Sequence, residues 1–302
     1  MKNKSFYSKI LLFGEYSIIK NSKALSIPYP QFEGRLTFPR DNAQSIDPEL
    51  KAFSLYLKKC VEKDALLSQF DISSFAFDVS QGLFFDSSIP QGYGAGSSGA
   101  LVASVFDRYY PDFNLNTDVF HLKEVLAKME SHFHGSSSGI DPLISYLNSP
   151  MLINSKNDIE LVTLPKFEKS PGGIFLLNTK RSRKTEPLMN LFLEKCRNED
   201  FNQKCEEELI VSTNQCVKYF LEAKLSDLFS SFKNISAFQL EHFQPMIPML
   251  YRDVWTEGLK TNHFYFKLCG AGGGGFLMGM TFDFQHFKRL HPDLDLKLLF
   301  SF

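Results

Sequence analysis

The segment IPQGYGAGSSGA, residues 89–100, constrains this chain more than any other stretch of its sequence. Its four glycines and two serines give the backbone a freedom that folding must overcome. Apolar residues follow at helical spacing and predict a helix that begins at the serines: Leu101, Val102, Val105, Phe106 and Tyr109. Glycines let backbone N–H groups approach an anion closely, and the start of a helix presents its positive end to that anion. The segment therefore predicts a loop that binds phosphate.

A second glycine-rich segment, residues 270–275, shares the pattern G-x-G-x-x-G with residues 94–99. The pattern alone is a weak indicator of a dinucleotide site. A dinucleotide-binding fold leads an apolar strand directly into the glycines, whereas Pro90 and Gln91 intervene here. A glycine-rich turn without a ligand explains either segment alone but explains both together poorly. No Walker A sequence and no protein-kinase signature is present. If ATP binds here, its phosphates are therefore bound by a loop of a different type from these two.

Composition narrows the class of protein. The chain has 302 residues, enough for two domains. Its 33 basic and 34 acidic residues create no overall field, which argues against a nucleic-acid or membrane partner. Five cysteines without a CxxC pair argue against a disulfide framework or a zinc site and favour a reducing compartment. The apolar N-terminal run is interrupted at Gly14-Glu15 and lacks a cleavage site, so we expect a cytoplasmic protein.

In the first half of the chain, apolar runs predict several elements. Residues 10–13 and 17–19 flank Gly14-Glu15 and predict a bent strand or a hairpin. Residues 75–79 predict a further strand. A second helix has its apolar face between Val119 and Met129 and ends near Gly135.

The second half restarts after Pro165. A strand is predicted at residues 174–177, and long helical tracts with polar faces follow it. Near the end, residues 264–268 and 276–280 are two apolar runs joined by the glycine-rich segment 270–275. We place a domain boundary after Pro165, which gives domains 1–165 and 166–302. Strands and helices without regular βαβ alternation indicate an α+β protein.

Two acidic residues are candidates for a catalytic or metal-binding role. Glu130 ends the second predicted helix, and Asp141 follows eleven residues later, beyond a loop of serines and glycines. For each residue alone, a structural explanation is about as good as a functional one: Glu130 as a solvated charge at a helix end, and Asp141 as a helix-start residue before Pro142. Phosphoryl transfer uses one carboxylate for Mg²⁺ and can use another to accept a proton. His132 and His134 lack partner ligands and are interpreted as structural or surface residues.

In this order the segments resemble the three motifs of the GHMP kinases, and most closely those of mevalonate kinases. Pro90 to Ala100 follows the central motif P-x-G-x-G-x-G-S-S-A-A, with Gly99 in place of one alanine. The first motif corresponds to Lys9, a short strand and Gly14-Glu15, and the third to residues 270–275. Glu130 and Asp141 have the spacing seen in mevalonate kinases.

The resemblance implies a two-domain GHMP kinase fold, with a ribosomal-protein-S5-domain-2-like N-terminal domain and a ferredoxin-like C-terminal domain. It implies ATP and Mg²⁺ as cofactors and a small-molecule alcohol, mevalonate, as the substrate, in isoprenoid precursor biosynthesis. Asp141 would be the catalytic base beside Lys9, and Ser98 and Glu130 would hold Mg²⁺. ATP would contact Pro90, Gly92, Tyr93, Gly94, Ala95, Gly96, Ser97 and Ser98. The acceptor would contact Glu15, Tyr16, Arg183, Thr185 and Ala271.

Several residues depart from the mevalonate kinase pattern. Tyr16 replaces a histidine, and a tyrosine at this place is also seen in phosphomevalonate kinases. Ser137 replaces a proline, and Pro142 replaces an asparagine. The alternatives are therefore a phosphomevalonate kinase or another small-alcohol kinase, a non-catalytic nucleotide-binding regulator, and a dinucleotide-dependent oxidoreductase. A homodimer is compatible with the resemblance.

Overall fold

The chain folds into two units, each assembled from several segments. In the computed structural model, residues 4–39, 45–110, 119–155, 158–168, 170–183 and 185–302 are described. The described residues of the first unit fall within Met1–Ile10, Pro28–Pro90 and Ala95–Ser149, and those of the second within Leu11–Ile27, Gln91–Gly94 and Pro150–Phe302. The domain limits 1–165 and 166–302 stay a prediction.

Two long strands contribute residues to both units: β1 (Phe6–Phe13) and β2 (Ala24–Thr37). They are neighbours in a sheet. The extended conformation predicted for residues 17–19 is wrong. Ser17–Lys20 forms a short 3₁₀ turn, and the strand that follows it is β2. Tyr16 precedes this turn with a φ of 62°, which breaks the extended conformation.

The first unit surrounds one buried helix. Its further elements are α1 (Pro48–Lys63), α2 (Ile72–Ser80), β3 (Phe84–Ser87), α3 (Ser97–Tyr109), α4 (Val119–His134) and α5 (Ile140–Leu147). Strand β3 pairs antiparallel with the end of β2, from Gly34↔Ser87 to Thr37↔Phe84. From Ala100 to Phe106 every residue of α3 is buried, as expected for a helix that is apolar on all sides. Helices α2, α4 and α5 pack against it, so the start of α3 lies among side chains from α4 and α5.

One sequence prediction in this unit is wrong. Residues 75–79, predicted as a strand, lie in α2. Asp71 caps this helix by accepting a hydrogen bond from the backbone N–H of Ser74 at 3.0 Å. Phe75 and Val79 are buried on one side of the helix, whereas Phe77 is 63% exposed. The i, i+4 spacing of the buried pair and the cap favour a helix over alternation along a strand.

The second unit contains a four-stranded antiparallel sheet with the order β7-β8-β6-β9. The strands are β6 (Gly173–Asn178), β7 (Phe264–Leu268), β8 (Phe276–Thr281) and β9 (Leu296–Ser301). The register pairs Leu177 with Leu277, and Phe266 with Gly279. The strand predicted at residues 174–177 is confirmed as part of β6, and the two apolar runs near the end form β7 and β8.

The remaining elements of the second unit lie before and between these strands. Two short strands, β4 (Met151–Ser155) and β5 (Asp158–Leu161), pair with each other, and β4 pairs with the start of β2. The helices are α6 (Thr185–Lys195), α7 (Glu199–Lys204), α8 (Val211–Leu221), α9 (Leu225–His242), α10 (Arg252–Thr261) and α11 (Phe284–Leu290). The core contains fully buried aromatic side chains, among them Phe175, Trp255 and Phe266. Among the described residues, no helix is long and apolar enough to cross a bilayer.

Candidate active site

The loop predicted to bind phosphate runs from Pro90 into the first turn of α3. Gly92, Gly94 and Gly96 have φ values of 74°, 70° and 77°, in the left-handed region that favours glycine. Gly96 is the N-cap of α3, and no side chain of the described chain caps this end. The first amides of a helix have no acceptor within the helix, and its dipole favours a negative charge there. The start of α3 therefore has the chemistry of an anion site.

Lys9 and Asp141 form an ion pair in the first unit. The Nζ of Lys9, on β1, lies 2.9 Å from the Oδ2 of Asp141. The backbone N–H of Lys9 also donates to the carbonyl of Ala95 at 2.9 Å, which ties the strand to the loop. A Cβ on Gly96 would lie 2.8 Å from the Cγ of Lys9, so a glycine is needed for the lysine side chain to pass.

Asp141 lies in the first turn of α5, close to the start of α3. A Cβ on Gly99 would lie 2.8 Å from the carbonyl carbon of Asp141 and 2.9 Å from the nitrogen of Pro142. The backbones of α3 and α5 thus approach more closely than an alanine would allow. This contact explains why Gly99 occupies a place where the central motif has an alanine. The side chain of Asp141 is 36% exposed and that of Lys9 only 11%, so the carboxylate is the partner that reaches solvent.

Glu130, on α4, is buried beside the start of α3. Its Oε1 accepts a hydrogen bond from the Ser98 hydroxyl at 3.0 Å, and its Oε2 accepts one from the Ser137 hydroxyl. Burial, and after it the negative charge of Asp141, raises the pKa of Glu130 to about 7. The two hydroxyls and Lys9 act in the opposite direction. We refer to Lys9, Ser98, Glu130 and Asp141 as the carboxylate cluster.

The carboxylate cluster fits a magnesium ion that accompanies a nucleotide. Carboxylate and hydroxyl oxygens are the hard ligands that Mg²⁺ accepts, together with oxygens of the nucleotide phosphates. A buried carboxylate whose pKa is raised by desolvation gains from a nearby cation, which favours its ionised form. Ser98 and Glu130 are the residues that would hold the ion, and the loop before α3 would hold the phosphates.

Arg183 links two glycine-rich segments within the second unit. Its backbone N–H donates to the carbonyl of Gly92 at 3.0 Å. Its Nη1 donates to the carbonyls of Cys269 and Gly274 at 3.2 and 2.9 Å. A Cβ on Gly94 or Gly270 would lie 2.2 or 2.4 Å from its Nη2. The guanidinium therefore lies in a gap that exists because both positions are glycines.

Glu15 and Tyr16 lie near the same glycine segment in the second unit. The Oε1 of Glu15 lies 2.5 Å from the Nζ of Lys267, on β7. The hydroxyl of Tyr16 donates to the carbonyl of Ala271 at 2.6 Å. Desolvation lowers the pKa of Arg183, and the negative charge of Glu15 acts against this decrease. We refer to Glu15, Tyr16, Arg183, Lys267 and Ala271 as the glycine-segment cluster.

Part of the sequence matches a known family. Residues 56–149 match the family model for the GHMP kinases N terminal domain. This segment contains the glycine-rich loop, Glu130 and Asp141, so this part of the chain is similar in sequence to the N-terminal domain of the GHMP kinases.

The fold is similar to solved structures over nearly its whole length. A Leishmania major mevalonate kinase in complex with R-mevalonate gives a TM-score of 0.64 at 15% identity, over 97% of this chain and 90% of that one. A Streptococcus pneumoniae phosphomevalonate kinase in complex with phosphomevalonate and AMPPNP gives 0.66 at 17%, over 100% and 99%. A Lactococcus lactis galactokinase complexed with galactose gives 0.62 at 17%, over 98% and 93%. No curated protein matches the sequence. The predicted α+β GHMP kinase fold is confirmed.

The structure brings most of the predicted site residues into two groups. The predicted catalytic and metal-binding residues meet in the carboxylate cluster of the first unit. Four of the five predicted acceptor residues, Glu15, Tyr16, Arg183 and Ala271, meet in the glycine-segment cluster of the second unit. Thr185 begins α6, and its side chain lies outside the described residues.

Sequence reasoning missed three residues that contact these clusters. His134, interpreted as structural or surface, has its Nε2 3.0 Å from the Ser98 hydroxyl oxygen. Its i, i+4 spacing from Glu130 on one helix was a usable signal. Ser137, noted only as a replacement for proline, donates to Glu130. Lys267 gave no signal, because a lysine inside an apolar run is usually a solvated residue of an edge strand.

Proposed function

We propose that this chain is an ATP-dependent kinase that phosphorylates the hydroxyl of a small-molecule alcohol, with mevalonate as the first candidate acceptor. The observation that supports this most strongly is the 2.9 Å pair between Lys9 and Asp141, beside an uncapped helix start and a buried carboxylate. Such a combination supplies a base, a fixed positive charge and a phosphate site in one unit. The proposed setting is isoprenoid precursor biosynthesis in the cytoplasm.

The nucleotide side of the reaction follows from the loop and the start of α3. Backbone N–H groups between Gly92 and Ser98 bind the phosphates, and the helix dipole favours their negative charge. Mg²⁺, when bound, neutralises charge that develops on the phosphates. Ser98 and Glu130 position that ion. This arrangement fits a reaction that depends on positioning and charge stabilisation.

The acceptor side depends on Asp141 and Lys9. The carboxylate of Asp141 accepts the proton of the acceptor hydroxyl as that oxygen forms a bond to the terminal phosphorus of ATP. The bond from this phosphorus to the bridging oxygen breaks, and ADP leaves with that oxygen. Lys9 holds the carboxylate in place through the 2.9 Å ion pair. It also stabilises negative charge that develops on the acceptor oxygen.

We further propose that the acceptor lies against the glycine-segment cluster. Arg183, Thr185 and Ala271 are the proposed contacts, with Glu15 and Tyr16 beside them. A guanidinium suits an acceptor that carries a carboxylate or a phosphate. Phosphomevalonate is the second candidate acceptor, because Tyr16 follows Gly-Glu as in phosphomevalonate kinases and the likeness to the S. pneumoniae enzyme covers the whole chain.

A direct test is ADP release with Mg·ATP and mevalonate, phosphomevalonate, homoserine or galactose, measured side by side. The proposal predicts the highest kcat/KM with mevalonate and a large loss in the Asp141→Asn variant. Fastest turnover with phosphomevalonate would support the second candidate. Tight ATP binding without ADP release from any acceptor would contradict the kinase and support a nucleotide-binding regulator. Thermal stabilisation by NAD(P)H and none by Mg·ATP would support an oxidoreductase instead.

A further inference from the structure

The ion pair between Glu15 and Lys267 is almost fully removed from solvent. The side chain of Lys267 is 0% exposed and that of Glu15 3%. The ammonium also donates to the carbonyl of Leu268 at 2.7 Å and lies 5.8 Å from the centre of the Phe13 ring. Burial raises the pKa of Glu15, while Lys267 and the backbone of Gly270 act against that increase. A buried pair is a weak source of stability, because desolvation of both charges offsets their attraction. We therefore expect the pair to fix the positions of the two segments that it joins rather than to stabilise the fold.

Tyr16, the next residue, is fixed in a different way. Its φ of 62° places a bulky residue in the left-handed region, a strained conformation that is found at ligand sites and clamps. Its ring packs against Phe192 and Phe243, with centroid distances of 4.8 and 5.1 Å. Its hydroxyl, held by this packing, donates to the carbonyl of Ala271. Only 3% of the residue is exposed.

These two adjacent residues thus hold the segment 267–271 at both ends. Glu15 binds the residue at one end, Lys267, and Tyr16 binds the residue at the other, Ala271. Between them, the carbonyl of Cys269 accepts from Arg183. The position of the Arg183 guanidinium therefore depends on a segment whose two ends are fixed by the turn at residues 14–16.

We propose that Glu15 and Tyr16 are positioning residues that clamp the segment 267–271 and thereby orient Arg183, and that they do not bind the acceptor themselves. This inference deepens the proposed function and rests on it for its consequence in catalysis. It revises the sequence-based interpretation of both residues as acceptor contacts, since their polar atoms already have partners within the chain.

Hydrogen–deuterium exchange of the ligand-free protein tests the clamp without any catalysis. In Tyr16→Phe, which removes one hydrogen bond and keeps the ring, exchange within residues 268–275 should accelerate roughly 2–10-fold. In Glu15→Gln, which leaves the lysine buried without a counter-charge, the acceleration should exceed roughly tenfold. Peptides from α3 serve as an internal reference and should exchange as in the wild type. Unchanged exchange in residues 268–275 in both variants would overturn the clamp.

Kinetics of a paired variant separate positioning from direct contact. Glu15→Gln and Lys267→Met should each raise the acceptor KM about tenfold or more, with ATP affinity unchanged. The double variant Glu15→Gln/Lys267→Met leaves no buried charge unpaired. The side-chain oxygen of the glutamine can still accept the hydrogen bond from the backbone N–H of Gly270. The acceptor KM should then return to within about threefold of the wild type.

A double variant whose exchange in residues 268–275 equals that of the wild type, but whose acceptor KM is as high as in Glu15→Gln, would mean that Glu15 contacts the acceptor and would overturn the proposal. If the wild-type protein phosphorylates none of the acceptors, the proposed function fails, and the exchange experiment still decides whether the clamp exists.

Discussion

Replacing Glu130 with glutamine should change how the stability of the ligand-free protein depends on pH. Glu130 has a folded-state pKa of about 7, against 4.5 as its ordinary value. Between these values the folded protein holds a proton that the unfolded chain has already lost. The stabilisation from this proton is therefore complete below pH 4.5 and is lost as the pH rises through 7. The full difference corresponds to about 3 kcal/mol, of which about 2.5 kcal/mol lies between about pH 5 and about pH 8.

Glu130→Gln removes this titration while keeping the size and shape of the side chain. Its amide loses one accepted hydrogen bond from Ser98 or Ser137, a cost of about 1 kcal/mol that does not vary with pH. Urea unfolding of both proteins at about pH 5 and about pH 8 should show that the free energy of unfolding of the variant, relative to that of the wild type, rises by about 2.5 kcal/mol between these pH values. A difference that is the same at both pH values would refute the reasoning, because it would mean that Glu130 is already ionised throughout.

Two further substitutions test the contacts around the carboxylate cluster. Gly96→Ala should lower turnover at least tenfold, because the added Cβ collides with Lys9. Gly135→Ala is the matched control in steady-state assays, since Gly135 has a similar φ but nothing within 4 Å of an added Cβ. Equal turnover in the two variants would mean that the collision with Lys9 does not matter for catalysis. Ser137→Ala removes a hydroxyl that favours ionised Glu130 and should weaken Mg·AMPPNP binding roughly 2–10-fold at neutral pH. Calorimetric titration measures this, and an unchanged Kd would show that Ser137 does not support the ion.

Local patterns in the sequence predicted much of this fold. The serines after the glycine loop begin α3, and the apolar periodicity that follows them gives its length. The strands of the second unit were recognisable because continuous apolar runs between glycines are typical of strands buried on both faces. The strand predicted at residues 75–79 was wrong because Phe75, Phe77 and Val79 alternate with other residues as apolar side chains do in a strand. The cap at Asp71 was the signal that distinguished the helix.

Long-range contacts could not be predicted in the same way. Glu15 and Lys267 are separated by 252 residues, and only the folded chain shows that one compensates the charge of the other. The family resemblance placed Glu15 near the acceptor and gave Lys267 no role at all. His134 was missed for a different reason, because a histidine two residues from another was tested only as a metal ligand. Its partner is the hydroxyl of Ser98, on another helix.

In the proposed mechanism, Asp141 accepts the proton of the acceptor hydroxyl beside Lys9. Asp141→Asn keeps the size of the side chain and removes its capacity as a base. The measurement is kcat with Mg·ATP and mevalonate, together with the Kd for ATP, in the wild type and in this variant. If Asp141 is the base, turnover falls by roughly 10²–10⁴-fold while the Kd for ATP is unchanged. Turnover equal to that of the wild type would contradict this role.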